Sequence, residues 1–293
     1  MTFFFEVLIN GLLVGIMYSL VALGFALIYK ASDVFNMAQG AMSLLAGLAL
    51  VGFLAMSFPL WLALLCTVGV MTILAYSTVF FILKPLVARP PLMLFMATFG
   101  IMYLVEGIGQ SIWGTDAKGL NIGIPDISFE IQGILLSTFD LTFAGVAALL
   151  VASLVWFFQK TRTGRALRAV SDDHEAALSV GIPLLKAWAV TWVIAGIVAT
   201  VAGVAWGTRL GVQFSLGYIA FKALPVLIIG GIDSIPGAII AGLIVGAGEN
   251  LAEVFIGPYV GGGIQTFFPY LIALLVLYFK PYGLFGKEII ERV

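Results

Sequence analysis

Fifty consecutive residues without a formal charge, Val34 to Leu83, set the tightest constraint on this chain. As one α-helix they would reach about 75 Å at 1.5 Å per residue, whereas the hydrocarbon core of a bilayer is about 30 Å thick. The run must therefore double back within an apolar medium. Ser57-Phe58-Pro59 is the natural place, because proline lacks a backbone N–H and is at home in the first turn of a helix. Helices are expected over 38–56 and 60–83. The rest of the chain agrees with a membrane setting: its 293 residues are 62% hydrophobic and 10% charged, where soluble domains carry about 25% charged residues.

Further spans are read at Val7 to Tyr29, Leu92 to Trp113, Asp140 to Gln159 and Ala187 to Thr208, with a polar stretch from Gly114 to Phe139. No basic region or small-residue cleavage site accompanies the first run, so it is expected to be a retained helix. The last third is less regular. Ile219 to Gly231 is too short to cross, Asp233-Ser234-Ile235-Pro236-Gly237 interrupts, Ala238 to Glu249 resumes, and Gln265 to Phe279 follows. Interrupted helices are tolerated in a bilayer only where protein or a cavity surrounds them. The expected fold is an all-α polytopic membrane protein forming one transmembrane domain over 1–293, with about eight membrane segments, some broken or re-entrant. Phe35 to Gly40 and Phe214 to Gly217 each follow a helix and open a short apolar segment, a faint sign of an internal repeat. Three Gly-x-x-x-Gly pairs, Gly11/Gly15, Gly203/Gly207 and Gly242/Gly246, fit close helix packing.

The polar residues concentrate in one island, Lys160 to Gly181, which holds seven of the 29 formal charges and the only histidine, His174. Placing it in the cytoplasm puts Lys30, Lys84, Arg89, Lys160, Arg162, Arg165, Arg168, Lys186, Lys280, Lys287 and Arg292 on that side, eleven of fourteen basic residues. That orientation sets the N-terminus outside and the C-terminus inside, and it requires 219–254 to enter and leave by one face. Within the island, Gly164 to Val170 is expected to extend the preceding helix, with Arg165 and Arg168 on one face. Asp172 and Glu175 form an acidic capping box for a second helix, Asp173 to Val180, stopped by Gly181 and Pro183. Eight residues do not make a stable helix in water, so this one must dock. Glu175, Ala176 and Ala177 are the expected exposed face.

Several chemistries are missing. No phosphate-binding loop occurs, since Gly286-Lys287 continues with Glu288, so the chain is expected to bind no nucleotide. One histidine and one cysteine, Cys66, supply neither a metal site nor a catalytic triad, and the net charge of -1 gives no hint of nucleic acid. Expected catalytic residues and metal ligands are therefore none.

Glu175-Ala176-Ala177-x-x-x-Gly181-Ile182 resembles the Glu-Ala-Ala-x-x-x-Gly signature of ATP-binding-cassette importer permeases, whose loop docks on the ATPase. Gly164-Arg165-Ala166-Leu167-Arg168-Ala169 onward, Phe35-Asn36-Met37-Ala38-Gln39-Gly40, Thr98-Phe99-Gly100 with Trp113-Gly114, and Gly230-Gly231 through Ser234-Ile235-Pro236-Gly237-Ala238 together resemble the branched-chain amino acid permease family. The chain departs from that pattern at Asp233, where glycine is commoner, and at Ala41, where an acidic residue is frequent. The resemblance implies a permease subunit of the bacterial plasma (inner) membrane that pairs with a second related permease as a heterodimer. It implies two cytoplasmic ATPase subunits that consume ATP, and a soluble substrate-binding protein. It also implies that Glu175, Ala176, Ala177, Gly181 and Ile182, supported by Arg165 and Arg168, couple to the ATPase over 159–186. Branched-chain amino acids are the implied cargo, with urea and short amides as alternatives. An ion-driven secondary transporter or channel is the rival from another class.

Inside the membrane, Glu106 is expected to face a wet cavity, because a bilayer-embedded carboxylate must be paired, protonated or hydrated. Asn36, Gln39 and Gly40 are candidates for the translocation path, although the two amides serve equally well to satisfy a broken helix. Lys222, Glu249, Asn250 and Glu253 are placed near a mouth, with mutual pairing as the alternative.

Overall fold

The computed structural model describes residues 2–87, 89–125, 127–131, 133–172 and 174–286. The expectations for Asp173, Lys287 and Arg292, and for the side chains of His174 and Glu175, lie outside what is described. In chain order the helices are α1 (Thr2–Ser32), α2 (Gln39–Ala55), α3 (Leu60–Ser77), α4 (Pro91–Trp113), α5 (Thr138–Lys160), α6 (Arg162–Asp172) and α7 (His174–Ser179). They continue as α8 (Leu184–Leu210), α9 (Ile219–Gly230), α10 (Ile235–Phe255), α11 (Gly257–Val260) and α12 (Ile264–Phe279). Among the described residues six helical stretches are long and apolar enough to span, and three shorter apolar ones accompany them. The turn at Ser57 is where the uncharged run predicted it, with Ser57 at φ +62° and Pro59 heading α3. α3 then passes into a π-helical stretch, Thr78–Leu83, and a single turn of 3-10 helix, Lys84–Leu86.

The polar stretch holds an antiparallel hairpin of β1 (Ser128–Ile131) and β2 (Ile134–Ser137) that pairs Ser128 with Ser137. The described residues gather into two compact units. One draws on Met1–Ala26, Gly123–Ala148 and Ala220–Val293, the other on Leu27–Ile122 and Leu149–Ile219.

In the second unit α2 is central. Every residue from Gln39 to Leu50 is buried, so this 17-residue helix has no polar face and is surrounded on all sides, by α3, α4 and α8 among others. α4 runs in the same direction as α2: Thr98 contacts the backbone at Phe35 and Met37, Gly109 faces Leu48, and Trp113 sits over Gly52. Gly203 of α8 lies against the Ser43 carbonyl, leaving no room for a side chain.

In the first unit a glycine seam joins α1 to α10. Gly11 packs on Gly246 and Ala247, Gly15 on Gly242, and Ser19 donates to the Gly15 and Ile239 carbonyls at 2.9 and 3.2 Å. Residue numbers rise along α1 as they fall along α10, so the two helices are antiparallel. Two of the three Gly-x-x-x-Gly pairs thus meet one another. α9 and α10 form a second antiparallel pair, with Gly230 against Gly237 and Lys222 against Glu249, and α12 returns beside α10 with Phe268 and Ile272 near Gly248.

Three expectations need correction. The segment expected over Ala238 to Glu249 is a 21-residue helix, Ile235–Phe255, of spanning length, and only α9 is short. It runs through Glu249 and Glu253 because both carboxylates have partners: Glu249 the Lys222 ammonium, Glu253 the N–H groups of Gly263 and Gln265 at 2.9 and 3.0 Å. Secondly, Gly164 to Val170 does not prolong α5. The chain breaks at Thr161, whose hydroxyl accepts from the Gly164 N–H at 2.9 Å, and α6 starts back against the Phe157 carbonyl. Thirdly, Ala177 is buried and not part of an exposed face: it packs with Leu167, Val170 and Ala187 in a small apolar cluster.

Candidate functional site

The residues singled out for the membrane interior come together where two helix interruptions meet. The first precedes α2. Asn36 accepts the Ala38 N–H at 3.1 Å and donates to the Gln39 side-chain oxygen at 3.3 Å, so it caps the break that Ala38 itself, in helical φ/ψ, cannot cap. Thr98 of α4 accepts the Met37 N–H at 3.1 Å. Asn36 and Gln39 are both 0% exposed, and their oxygens are spent within the break. The Gln39 Nε2 is buried and, among the described residues, has no hydrogen-bond partner.

The second interruption is a 3-10 turn, Phe214–Tyr218, between α8 and α9 that packs on α2. A Cβ at Gly217 would stand 3.6 Å from the Glu106 Oε1 and 3.8 Å from the Gly40 carbonyl carbon. A methyl there would make ordinary contact with both, so Gly217 marks how near the Glu106 carboxylate lies to the start of α2. Glu106 is half-buried, and its neighbours on α4, Tyr103 and Gln110, are exposed. Among the described residues it has no hydrogen-bond or ion-pair partner. Asn36, Gln39, Gly40 and Glu106 thus share one neighbourhood. Thr98 and Gly217 stood in stretches that the sequence singled out, Thr98-Phe99-Gly100 and Phe214 to Gly217, but neither was assigned to this neighbourhood.

The charged island forms a separate constellation. α6 turns Gly164, Leu167 and Val170 inward and leaves Arg165 and Arg168 exposed, and α7 rests on it through Ala177. The end of α7 is a Schellman motif: the Ile182 N–H bonds the Ala177 carbonyl and the Gly181 N–H the Leu178 carbonyl, both at 3.0 Å, with Gly181 at φ +86°. Ile182 packs into the same apolar cluster as Ala177, which completes the motif's hydrophobic contact. Ala176, Leu178 and Val180 are left exposed on this segment, the last two at 52% and 79%. Leu178 and Val180 were absent from the predicted face, since apolar residues in a charged loop read as packing.

Lys222 and Glu249 pair directly at 2.8 Å. Tyr18 joins them, its hydroxyl 3.3 Å from each, so the group ties α1, α9 and α10. The expectation of a mouth for these residues gives way to the structural pairing held as its alternative.

The family described as branched-chain amino acid transport system, permease component, matches residues 7–279. The chain is 27% identical to the high-affinity branched-chain amino acid transport system permease protein BraD of Pseudomonas aeruginosa, covering 99% of this chain and 98% of that one. It is 28% identical to a probable branched-chain amino acid transport permease, LivH, of Methanocaldococcus jannaschii, over 92% and 88%. A more distant similarity, 27% identity over 64% of this chain and 54% of the relative, reaches the fructose import permease FrcC of Rhizobium meliloti. Among solved structures, PsaBC of Streptococcus pneumoniae in complex with Fab shares the fold at a TM-score of 0.51 and 14% identity, over 92% and 90% of the two chains.

Proposed function

We infer a specific transport role from one premise: this chain belongs to the family of branched-chain amino acid transport permease components. It is a multi-pass membrane permease component and not an enzyme. The finer reading is a subunit of an ATP-binding-cassette importer that passes branched-chain or related hydrophobic amino acids through the plasma (inner) membrane. In that reading a soluble binding protein delivers cargo outside, a second related permease completes the path, and two ATPase subunits dock on the 159–186 island inside. The ATP is bound and spent by those partners. The whole of 1–293 serves as one permease domain, with the N-terminus outside and the C-terminus in the cytoplasm. The termini of α1 and α12 support the opposite placement of the two ends, because both helices are antiparallel to α10.

The observation that carries the coupling role is α7, a six-residue helix closed by a Schellman motif and anchored through Ala177 and Ile182, with apolar side chains left outward. So short a helix persists only when held, and its exposed Ala176, Leu178 and Val180 suit insertion into a groove of a partner. Glu175, Arg165 and Arg168 supply charges that fix its register, and Gly181 fixes its end.

For the path, Glu106 beside Gly40 and Gly217 provides a carboxylate for a substrate ammonium, while Asn36 and Gln39 hold the break that leaves α2 short. Co-purification with the ATPase subunits is the test. Wild type retains them, Glu175→Lys and Gly181→Trp lose them together with uptake, and Glu106→Leu retains them but loses uptake. Uptake that survives the first two variants and follows an ion gradient overturns the importer reading. Uptake that survives Glu106→Leu removes that residue from the path.

A further inference from the structure

An apolar groove of about 830 Å³ opens between α3, the second half of α5 and the first half of α8. Its walls are two helical stripes of identical spacing, Leu149, Ser153 and Trp156 on α5 and Val190, Val193 and Ile197 on α8. Each stripe, continued by one turn at the same end of the groove, reaches an exposed lysine. From Trp156 the next position is Lys160, and from Val190 the preceding one is Lys186. The two ends coincide because Phe157 and Val190 both pack on the α6 cluster around Leu167. Arg162, the first residue of α6, is exposed at the same end.

The two aliphatic hydroxyls of the wall are already used. The Ser153 hydroxyl donates to the Leu149 carbonyl at 2.7 Å and the Thr72 hydroxyl to the Val68 carbonyl at 2.8 Å, each within its own helix. Apart from the Tyr76 hydroxyl and the Trp156 indole N–H, the wall presents hydrocarbon, and at membrane depth a cleft of this size is filled by hydrocarbon or protein. The cations at one end make the distinction, together with Trp156 and Tyr76, ring types that settle at headgroup level. We propose that this groove is a binding site for an anionic phospholipid, with an acyl chain between α5 and α8 and the phosphate held by Lys160, Lys186 and Arg162. Basic pockets between membrane helices bind acidic headgroups by the same electrostatics.

Native mass spectrometry of the purified protein, titrated with phosphatidylglycerol and with phosphatidylcholine of the same acyl chains, tests the site. Phosphatidylglycerol binds more tightly. The pair Lys160→Glu and Lys186→Glu removes that preference, lowering its affinity about fivefold or more, and leaves phosphatidylcholine unchanged. Ser153→Trp fills the groove and weakens both lipids. Equal binding of the two lipids to wild type, or a charge-reversed protein that still prefers phosphatidylglycerol, overturns the proposal. So does cross-linking of Ser153→Cys, in a Cys66→Ser background, to a neighbouring polypeptide, which would make the groove a protein interface. Should Ser153→Trp fail to fold, the lipid comparison and the lysine pair decide.

Discussion

At Gly181 a backbone φ of +86° coincides with two hydrogen bonds that close α7, from the Gly181 and Ile182 N–H groups. A β-branched side chain is strained there, since left-handed backbone costs non-glycine residues about 1–2 kcal/mol and branching adds to it. Gly181→Val is expected to unwind the end of α7 and abolish ATPase co-purification, while Gly181→Asn, which tolerates this conformation, retains most of it. Pull-down yields of the two variants measure the difference. A second residue-scale prediction concerns Lys222. With the Glu249 side chain 4% exposed and that of Lys222 32% exposed, Lys222→Met leaves a buried carboxylate without its counter-charge. A loss of about 3 kcal/mol is expected, and Lys222→Met combined with Glu249→Met recovers most of it. Melting in detergent, with the single and double variants side by side, reads both effects.

At the scale of elements, the α1–α10 seam depends on glycine for approach rather than for backbone freedom. A Cβ on Gly242 would overlap the Ser19 hydroxyl and the Gly15 carbonyl, so Gly242→Leu must push the helices apart, at about 1–3 kcal/mol or more. Gly69→Ala is the control, because nothing lies within 4 Å of its added methyl, and its melting temperature is expected to stay level or rise. Element boundaries were legible where a cause was local. The length of the uncharged run forced a turn near Pro59, and Gly181 followed by Pro183 stopped α7. They were illegible where the cause was distant. Glu249 reads as the end of a span until Lys222, 27 residues earlier, is placed beside it, and then α10 continues to Phe255. Likewise the break at Thr161 follows from a close approach of Gly164 to the α5 backbone, which no propensity announces. The path candidates were half legible: Asn36 and Gln39 stood out as amides in an apolar run, but that Glu106 would share their neighbourhood is set by the packing of α4 and of the 3-10 turn at Gly217 on α2, which local sequence does not announce.

At the scale of the molecule, both units are closed by contacts distant in sequence. One unit takes 27–122 and 149–219 and is closed where α8 packs on α2 and α3, with Gly203 against Ser43 and Gly196 against Met71; the other joins 1–26 to 220 onward through the glycine seam. A chain cut after Ile219 retains every segment of the unit around α2 and none of the partners of Gly11 and Gly15 on α10. Such a truncated protein is expected to keep the protease-resistant core around α2 and to lose protection over α1, which limited proteolysis followed by mass mapping detects. The seam also sets a schedule for synthesis. α1 reaches the membrane before α10, and its glycine face has no mate until α10, more than 200 residues later, is made. Throughout that interval lipid, an insertion factor or a neighbouring chain must cover a surface shaped for another helix, so maturation of this protein waits on its final third.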